Sequence, residues 1–233
     1  MAARPRPRRS ALYIPGSNAH ALDKGRTIPA DVLILDLEDA VPSEQKEIAR
    51  ASVGAAVGAR AYGRREVVIR VNGLESPWIA RDIAAAVACQ PDAVLIPKLS
   101  RIEDIRRARA ALHAAQAGSD LALWAMIETP MAVLNVAAIA AMAEGPGVPV
   151  ECLVAGTNDL ARETGVRLKG GRAGMLPWLS QCVLAARAHG LAVLDGTFND
   201  LTNWEAFHAE CEQGRDLGMD GKTLIHPRQV PIA

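Results

Sequence analysis

The chain has 233 residues and a formal net charge of +0, and 50% of its residues are hydrophobic, 22% charged and 3% aromatic. This length supports one large core, the apolar content excludes a disordered chain, and the low aromatic share argues against an aromatic-rich β-sandwich. The neutral charge balance gives no indication of a nucleic acid or an anionic membrane as a partner.

A basic segment, residues 1–8, precedes the first apolar run. It has no aromatic residues and no helical periodicity, so we predict a flexible tail exposed to solvent. It also lacks the apolar region of a signal peptide. No apolar run in the chain reaches the ~18 residues of a membrane span, and the four cysteines have no C-x-x-C spacing. We therefore expect a cytoplasmic protein with reduced cysteines and no membrane segment.

From residue 9 to residue 233, short apolar runs alternate with Ala-rich segments of helical period. The predicted strands are Ser10–Pro15, Val32–Asp39, Glu66–Asn72, Ala93–Leu99, Leu121–Glu128, Glu151–Asn158, Leu191–Gly196 and Lys222–His226. The predicted helices between them include Ile79–Cys89, Ile102–Gln116, Met131–Ala143, Leu176–His189 and Trp204–Leu217.

This alternation predicts a parallel sheet, because each crossover is long enough for a right-handed βαβ unit. We expect a single domain with the (β/α)₈ TIM-barrel fold, in the α/β class. A doubly wound open sheet is the rival architecture, but no G-x-G-x-x-G motif follows the first strand.

Polar residues and a Pro-Gly pair gather where the predicted strands end. They are Pro15, Gly16, Asp36, Glu38, Asp39, Arg70, Asn72, Lys98, Glu128, Asp159, Asp195 and His226. In a parallel barrel the carboxyl ends of the strands share one face, and the active site is built there. The sequence therefore predicts a functional site at this face.

Two of these residues suggest a metal site. Glu128 ends the fifth predicted strand and Asp159 ends the sixth, and neighbouring strands lie ~4.8 Å apart. Two carboxylates without a His or Cys cluster suit Mg²⁺, with Mn²⁺ as the alternative. A purely structural interpretation is also open: Glu128 would pair with Arg70, and Asp159 would cap a helix beginning at Leu160.

Arg70 ends an otherwise apolar strand, and its guanidinium suits a two-point contact with a carboxylate. It could instead form a salt bridge with the acids of the second strand, and the two roles are compatible. Three acids stand there, with Asp36 and Glu38 expected on one side and Asp39 on the other. The segment Gly156, Thr157 and Asn158 offers backbone N–H groups that could hold an anion.

Seven segments together resemble the citrate lyase β-subunit-like proteins of the HpcH/HpaI aldolase and citrate lyase group. They are RSALYIPGSN, LILDLEDAV, VVIRVNG, IPKLSRIEDI, IETPMAVLNVAAIA, GTNDLARETG and GMDGKTLIHPRQV, in order from Arg9 to Val230. The resemblance implies a TIM barrel that uses Mg²⁺ to make or break a carbon–carbon bond between a 2-keto acid and an acyl-CoA. It also implies a homo-oligomer, a trimer or a hexamer.

Carried over by position, the resemblance makes Glu128 and Asp159 metal ligands and Arg70 the group that binds the substrate carboxylate. Pro15 and Gly16 would border the substrate entrance, and Gly156, Thr157 and Asn158 would contact the substrate. The acids Asp36, Glu38 and Asp39 would support these groups from a second layer, together with Asn72 and Lys98. The sequence departs from the family pattern in two respects. Asn158 stands where many relatives have an acid, and we expect the C-terminal helical extension of relatives to be short or missing after the last strand.

The leading hypothesis is a Mg²⁺-dependent carbon–carbon lyase that acts on a 3-hydroxyacyl-CoA such as citryl-, malyl- or citramalyl-CoA. Its products would be acetyl-CoA and a 2-keto acid. One alternative is a class II pyruvate-dependent aldolase that acts on free hydroxy-keto acids. Another is a non-catalytic subunit that binds a keto acid or assembles a larger complex.

Overall fold

The computed structural model describes residues 6–143, 145–168 and 171–233. Its eight parallel strands close into a barrel in chain order, and the last strand pairs with the first. The strands are β1 (Ser10–Pro15), β2 (Val32–Asp36), β3 (Glu66–Arg70), β4 (Ala93–Ile96), β5 (Ala122–Ile127), β6 (Val150–Ala155), β7 (Ala192–Asp195) and β8 (Gly221–Leu224). The predicted TIM barrel is confirmed.

Helices surround the barrel. They are α1 (Ala19–Lys24), α2 (Lys46–Gly58), α3 (Ile79–Cys89), α4 (Ile102–Ala114), α5 (Pro130–Leu134), α6 (Val136–Ala140), α7 (Thr157–Thr164), α8 (Leu176–Ala188) and α9 (Trp204–Leu217). A short 3₁₀ turn, Pro227–Gln229, follows β8. Across the described ranges, no helix has the length and apolar character needed to cross a membrane.

The strands are buried on both faces, as their continuously apolar sequences require. One cluster of apolar side chains fills the inside of the barrel, with Ile34, Val68 and Trp124 among its members. A second and larger cluster lies between the strands and the helices. The barrel interior is therefore packed, and any open space lies at its ends.

Strand register brings the chemistry-bearing residues to one rim. Arg70 of β3 pairs with Asp36 of β2, and Asp36 pairs with Pro15 of β1. On the other side of the barrel, Ile127 pairs with Ala155, so Glu128 and Gly156 leave β5 and β6 at the same level. The carboxyl ends of these strands therefore meet at a common mouth.

Most predicted strands extend too far toward their carboxyl ends. β2 ends at Asp36 rather than Asp39, and β6 ends at Ala155 rather than Asn158. The Asp36 side chain accepts the N–H groups of Glu38 and Ala40, which turns the chain at the end of β2, and β6 ends where helix α7 begins at Thr157. The predicted helix Met131–Ala143 is also divided, into α5, α6 and a 3₁₀ turn.

The basic segment contributes to the opposite end of the barrel. Arg8 Nε and Nη2 donate to the carboxylate of Glu66 at 2.7 and 2.6 Å, and its guanidinium lies 4.8 Å from the centre of the Trp124 ring. The prediction of a solvent-exposed tail is wrong for Arg8, because buried Glu66 needs a positive partner. Residues 1–5 lie outside the described residues.

Candidate functional site at the mouth of the barrel

A cavity of about 280 Å³ opens at the carboxyl ends of the strands. Its wall includes Tyr13 of β1, Asp36 of β2, Arg70 of β3, Met126 of β5 and Asp159 of α7. Asp39 also lines a neighbouring groove of about 650 Å³, together with Glu38, Asn72 and Lys98. The predicted face therefore holds a concave site with polar walls.

Glu128 is buried directly after β5, with 1% of its surface exposed. Its Oε1 accepts the backbone N–H of Lys98 at 2.9 Å. Burial raises the pKa of Glu128 to about 8, and repulsion from the carboxylates of Glu38 and Asp159 adds to the effect. Among the described residues it has no salt bridge to Arg70 within 4.0 Å, so the purely structural ion pair is wrong.

Gly156 allows this burial. A Cβ atom at position 156 would lie 2.2 Å from the Cβ of Glu128 and 2.9 Å from its Oε2. Only a glycine permits the start of α7 to approach Glu128 this closely. Gly156 therefore packs against the acid, and it also lines the cavity.

Asp159 lies in the first turn of α7, where it forms an ion pair with Arg162. The helix begins at Thr157 and Gly156 is the N-cap residue, so the expectation that Asp159 caps a helix starting at Leu160 is wrong. Its side chain is 15% exposed and lines the cavity. An acid in the first turn of a helix interacts favourably with the helix dipole, which explains the position of Asp159.

The chemistry of the donors fits Mg²⁺. No group of three or more His, Cys, Asp or Glu side chains within the described ranges forms a metal-binding cluster. Mg²⁺ in proteins commonly takes only one or two carboxylates and completes its shell with water and substrate oxygens. Glu128 and Asp159 can supply that number, and a cation would relieve the repulsion that raises the pKa of Glu128.

Arg70 is held by the acids at and just after the end of β2. Its Nε and Nη2 donate to the two oxygens of Asp36 at 2.7 and 2.6 Å, and its Nη1 lies 3.0 Å from Glu38 Oε2 and 3.4 Å from Asp39 Oδ2. Its guanidinium lies 4.7 Å from the centre of the Tyr13 ring. The predicted salt bridge to these acids is therefore present, and all three guanidinium nitrogens already face carboxylate oxygens.

The three acids differ in environment. Asp36 is fully buried, and although burial opposes it, the Arg70 charge holds the pKa of Asp36 below its ordinary value. Burial raises the pKa of Glu38 to about 7 against the opposing charge of Arg70, while Asp39 and Asp36 add to the rise and Lys98 opposes it. All three acids face Arg70, contrary to the predicted alternation, because the strand ends at Asp36.

Asn72 and Lys98 support the mouth from outside the cavity. Asn72 donates to Asp82 and to the carbonyl of Leu37, and it accepts the Lys46 ammonium at 2.9 Å. Lys98 holds Glu128 through its backbone N–H, and its ammonium lies 3.7 Å from Glu38. These contacts agree with a supporting role for both.

Other residues of the predicted face do not line the 280 Å³ cavity. Gly16 packs against the backbone of Asp36, and Pro15 is the last residue of β1. Asp195 points outward to an ion pair with Arg172 and Lys222, and His226 Nδ1 accepts the N–H of Arg228. The assignment of Pro15 and Gly16 to a substrate entrance stays a prediction.

Asn158 forms a reciprocal pair with a residue that the sequence did not single out. Asn199 Nδ2 donates to Asn158 Oδ1 at 2.8 Å, and Asn158 Nδ2 contacts Asn199 Oδ1 and Thr197 Oγ1. All three residues line the cavity. Tyr13 was also missed, because a tyrosine within an apolar strand is read as core.

Nearly the whole barrel is similar in sequence to a known protein family. The sequence profile of the HpcH/HpaI aldolase/citrate lyase family matches residues 9–227. The chain belongs to this family. The resemblance inferred from the seven segments is thereby confirmed.

Two relatives and one solved structure illustrate the range of this family. A (3S)-malyl-CoA thioesterase of Cereibacter sphaeroides is 46% identical over 233 residues, which are 100% of this chain and 78% of the relative. An L-malyl-CoA/beta-methylmalyl-CoA lyase of the same species is 31% identical, over 98% of this chain and 78% of the relative. The citrate lyase beta subunit of M. tuberculosis, complexed with oxaloacetate and magnesium, superimposes with a TM-score of 0.79 at 26% identity, over 96% of this chain and 93% of that one.

Proposed function

We propose that the protein is a Mg²⁺-dependent enzyme that acts on a 3-hydroxyacyl-CoA of the malyl-CoA type. The observation that carries the proposal is the grouping of Glu128, Asp159 and Arg70 at the mouth of the barrel. The relatives named for malyl-CoA and the structure containing oxaloacetate and magnesium support this substrate class.

In this proposal Glu128 and Asp159 hold Mg²⁺. When bound, the ion supplies Lewis acidity and a template for the oxygens of the substrate. Arg70 contributes positive charge beside the acid part of the substrate. Asp36 occupies its Nε and Nη2, and its Nη1 faces Glu38 at 3.0 Å and the exposed Asp39 at 3.4 Å, so a substrate carboxylate would reach Nη1 by taking the place of Asp39.

Glu38 is suited to accept a proton. Its pKa is raised to about 7, near the working pH of most enzymes, and it lies between Arg70 and Lys98. Its Oε2 contacts Arg70 as an ion pair but has no hydrogen-bond partner among the described residues. Glu38 lines the groove of about 650 Å³ beside the cavity, so a water molecule or a substrate hydroxyl that enters this groove could donate its proton there.

Thioester hydrolysis is the reaction we favour. Water adds to the thioester carbonyl carbon, the carbon–sulfur bond breaks, and the products are the hydroxy acid and the CoA thiol. The relative named as a thioesterase is 46% identical over the whole chain, compared with 31% for the relative named as a lyase.

Carbon–carbon cleavage is the second candidate, and the lyase relative supports it. Here a base removes the proton of the substrate hydroxyl, whose oxygen becomes the aldehyde carbonyl of glyoxylate. The adjacent carbon–carbon bond breaks, and its electron pair forms the thioester enolate, which takes up a proton to become acetyl-CoA. The products are then glyoxylate and acetyl-CoA, and no thiol is released. The same grouping of carboxylates and arginine would serve this reaction.

Incubation of the protein with malyl-CoA and Mg²⁺ separates the two reactions. Hydrolysis releases one free thiol per substrate and produces malate, whereas cleavage produces glyoxylate without free thiol. We expect thiol release, and we expect Asp159→Asn to lower its rate by at least ~100-fold through weaker Mg²⁺ binding. Neither thiol nor glyoxylate above the uncatalysed rate would refute the proposed function.

A further inference from the structure

The hydroxyl of Tyr13 is buried at the mouth of the barrel, and no residue that the structure describes forms a hydrogen bond with it. Four buried side-chain atoms within the described ranges share this property: Tyr13 Oη, Glu38 Oε2, Arg50 Nη2 and Trp124 Nε1. Of their four side chains, only that of Tyr13 lines the 280 Å³ cavity. A buried hydroxyl without a partner is unfavourable, so its retention in a cavity requires an explanation.

The surrounding groups hold the tyrosine ring in place and leave its hydroxyl free. Tyr13 lies in the middle of β1, paired with Ile34 of β2, and the Arg70 guanidinium covers its ring at 4.7 Å from the centre. The hydroxyl of Thr223, on the same cavity wall, donates to the carbonyl of Asp195. The guanidinium of Arg70 forms ion pairs with Asp36 and Glu38.

We propose that Tyr13 Oη donates a hydrogen bond to an anionic oxygen, carboxylate or alkoxide, in the acid part of the bound substrate. This inference rests on the proposed function, which supplies an acid rich in oxygen acceptors. Tyr13 and Arg70 would then contact the same end of the substrate, one as a neutral donor and the other as a charge.

The electrostatic environment keeps the hydroxyl in its donor form. Burial raises the pKa of Tyr13 well above its ordinary value, and the nearby carboxylates of Asp36 and Glu128 act in the same direction against the charge of Arg70. The phenol therefore stays protonated over the working pH range. A fixed donor aimed at developing negative charge is an effective source of transition-state stabilisation.

The chain offers a matched control, because it has only two tyrosines. Tyr62 is buried away from the cavity, and its hydroxyl donates to the carbonyl of Leu22 at 3.1 Å. We expect Tyr13→Phe to lower kcat/KM for malyl-CoA by about 10- to 1,000-fold without lowering Tm. We expect Tyr62→Phe to lower Tm and to leave kcat/KM within ~2-fold, because its partner carbonyl loses a buried hydrogen bond.

A spectroscopic measurement tests the contact without relying on turnover. Tyrosine labelled with ¹³C at Cζ gives one signal for each tyrosine, and Tyr62→Phe assigns them. Addition of malate with Mg²⁺ should shift the Tyr13 signal and leave the Tyr62 signal in place. Malate binding measured by calorimetry should be weaker in Tyr13→Phe than in the unchanged protein.

These measurements separate the inference from the proposed function. If the unchanged protein does not turn over malyl-CoA but malate shifts the Tyr13 signal, the function is wrong and the contact stands. If the protein turns over malyl-CoA while Tyr13→Phe keeps its kcat/KM and the Tyr13 signal does not move, the contact is refuted.

Discussion

At the scale of single residues, charge compensation distinguishes Glu128 from Asp36. Both carboxylates are buried at the same mouth, but Asp36 receives two donors from Arg70 and two backbone N–H groups. Glu128 receives one N–H, and the pKa values of the two acids move in opposite directions. Glu128 is therefore the acid that a bound cation would neutralise.

The affinity for Mg²⁺ should depend on pH through this acid. Because the pKa of Glu128 is raised to about 8, Mg²⁺ must displace its proton below that pH. We expect the Kd for Mg²⁺ to fall by up to ~10-fold per pH unit from pH 6 to 8, the slope for release of one proton. Calorimetric titrations at several pH values measure this slope, and a Kd that is constant over the range would contradict it.

The metal-free protein should show the linked change in stability. A raised pKa means that the folded state binds the proton of Glu128 more tightly than the unfolded chain does. The contribution of this group to the free energy of unfolding is therefore fully present below pH 4.5, its ordinary pKa, and is lost as the pH rises through about 8. Glu128→Gln, which cannot ionise, provides the control and should lack this component.

Residue types at the mouth could be predicted from the sequence, but their pairings could not. Acids and Arg70 at the ends of apolar runs are visible because charge is rare there. Which acid pairs with Arg70 depends on the angle at which each chain leaves its strand. The sequence likewise left open whether Glu128 pairs with Arg70. Tyr13 carries no such signal, since only the structure reveals that its hydroxyl lacks a hydrogen-bond partner among the described residues.

At the scale of elements, the junction between β6 and α7 controls the site. The sequence pattern predicted a strand from Glu151 through Asn158. In the structure α7 begins at Thr157 with Gly156 as its N-cap, so the chain turns directly over Glu128. Close contact between two elements is a tertiary property that local pattern does not encode.

Gly156→Ala tests this junction. The added Cβ would lie 2.2 Å from the Cβ of Glu128, so β5 and α7 must move apart. We expect a loss of about 1–3 kcal/mol in the free energy of unfolding and a weaker affinity for Mg²⁺. Urea unfolding and calorimetry measure the two effects.

Gly54→Ala is the matched control for that substitution. Gly54 lies within α2, and a Cβ there would have no neighbour within 4 Å. We expect it to stabilise the protein by about 0.5–1 kcal/mol, because alanine favours the helix, and to leave Mg²⁺ affinity unchanged. Equal losses of stability in both variants would contradict the special role of the junction.

At the scale of the whole molecule, the two ends of the barrel have different tasks. The carboxyl ends of the strands hold a cavity, and beside it lie acids whose pKa values are raised, Glu38 and Glu128. At the amino ends, Arg8 covers the Trp124 ring and pairs with Glu66, so the buried charges there are matched. This division agrees with the general arrangement of TIM barrels, in which one face supports catalysis and the other stability.

Substitution of Arg8 should therefore affect stability alone. Arg8→Ala leaves the carboxylate of Glu66, which is 3% exposed, without its partner, and we expect a loss of roughly 3 kcal/mol in the free energy of unfolding. Arg6→Ala is the control, because its pair with Asp92 is half exposed and should contribute less than ~1 kcal/mol. Both variants should keep the kcat/KM of the unchanged protein at a temperature where they are folded. A reduced kcat/KM in folded Arg8→Ala would show that the two ends of the barrel are coupled, contrary to this division.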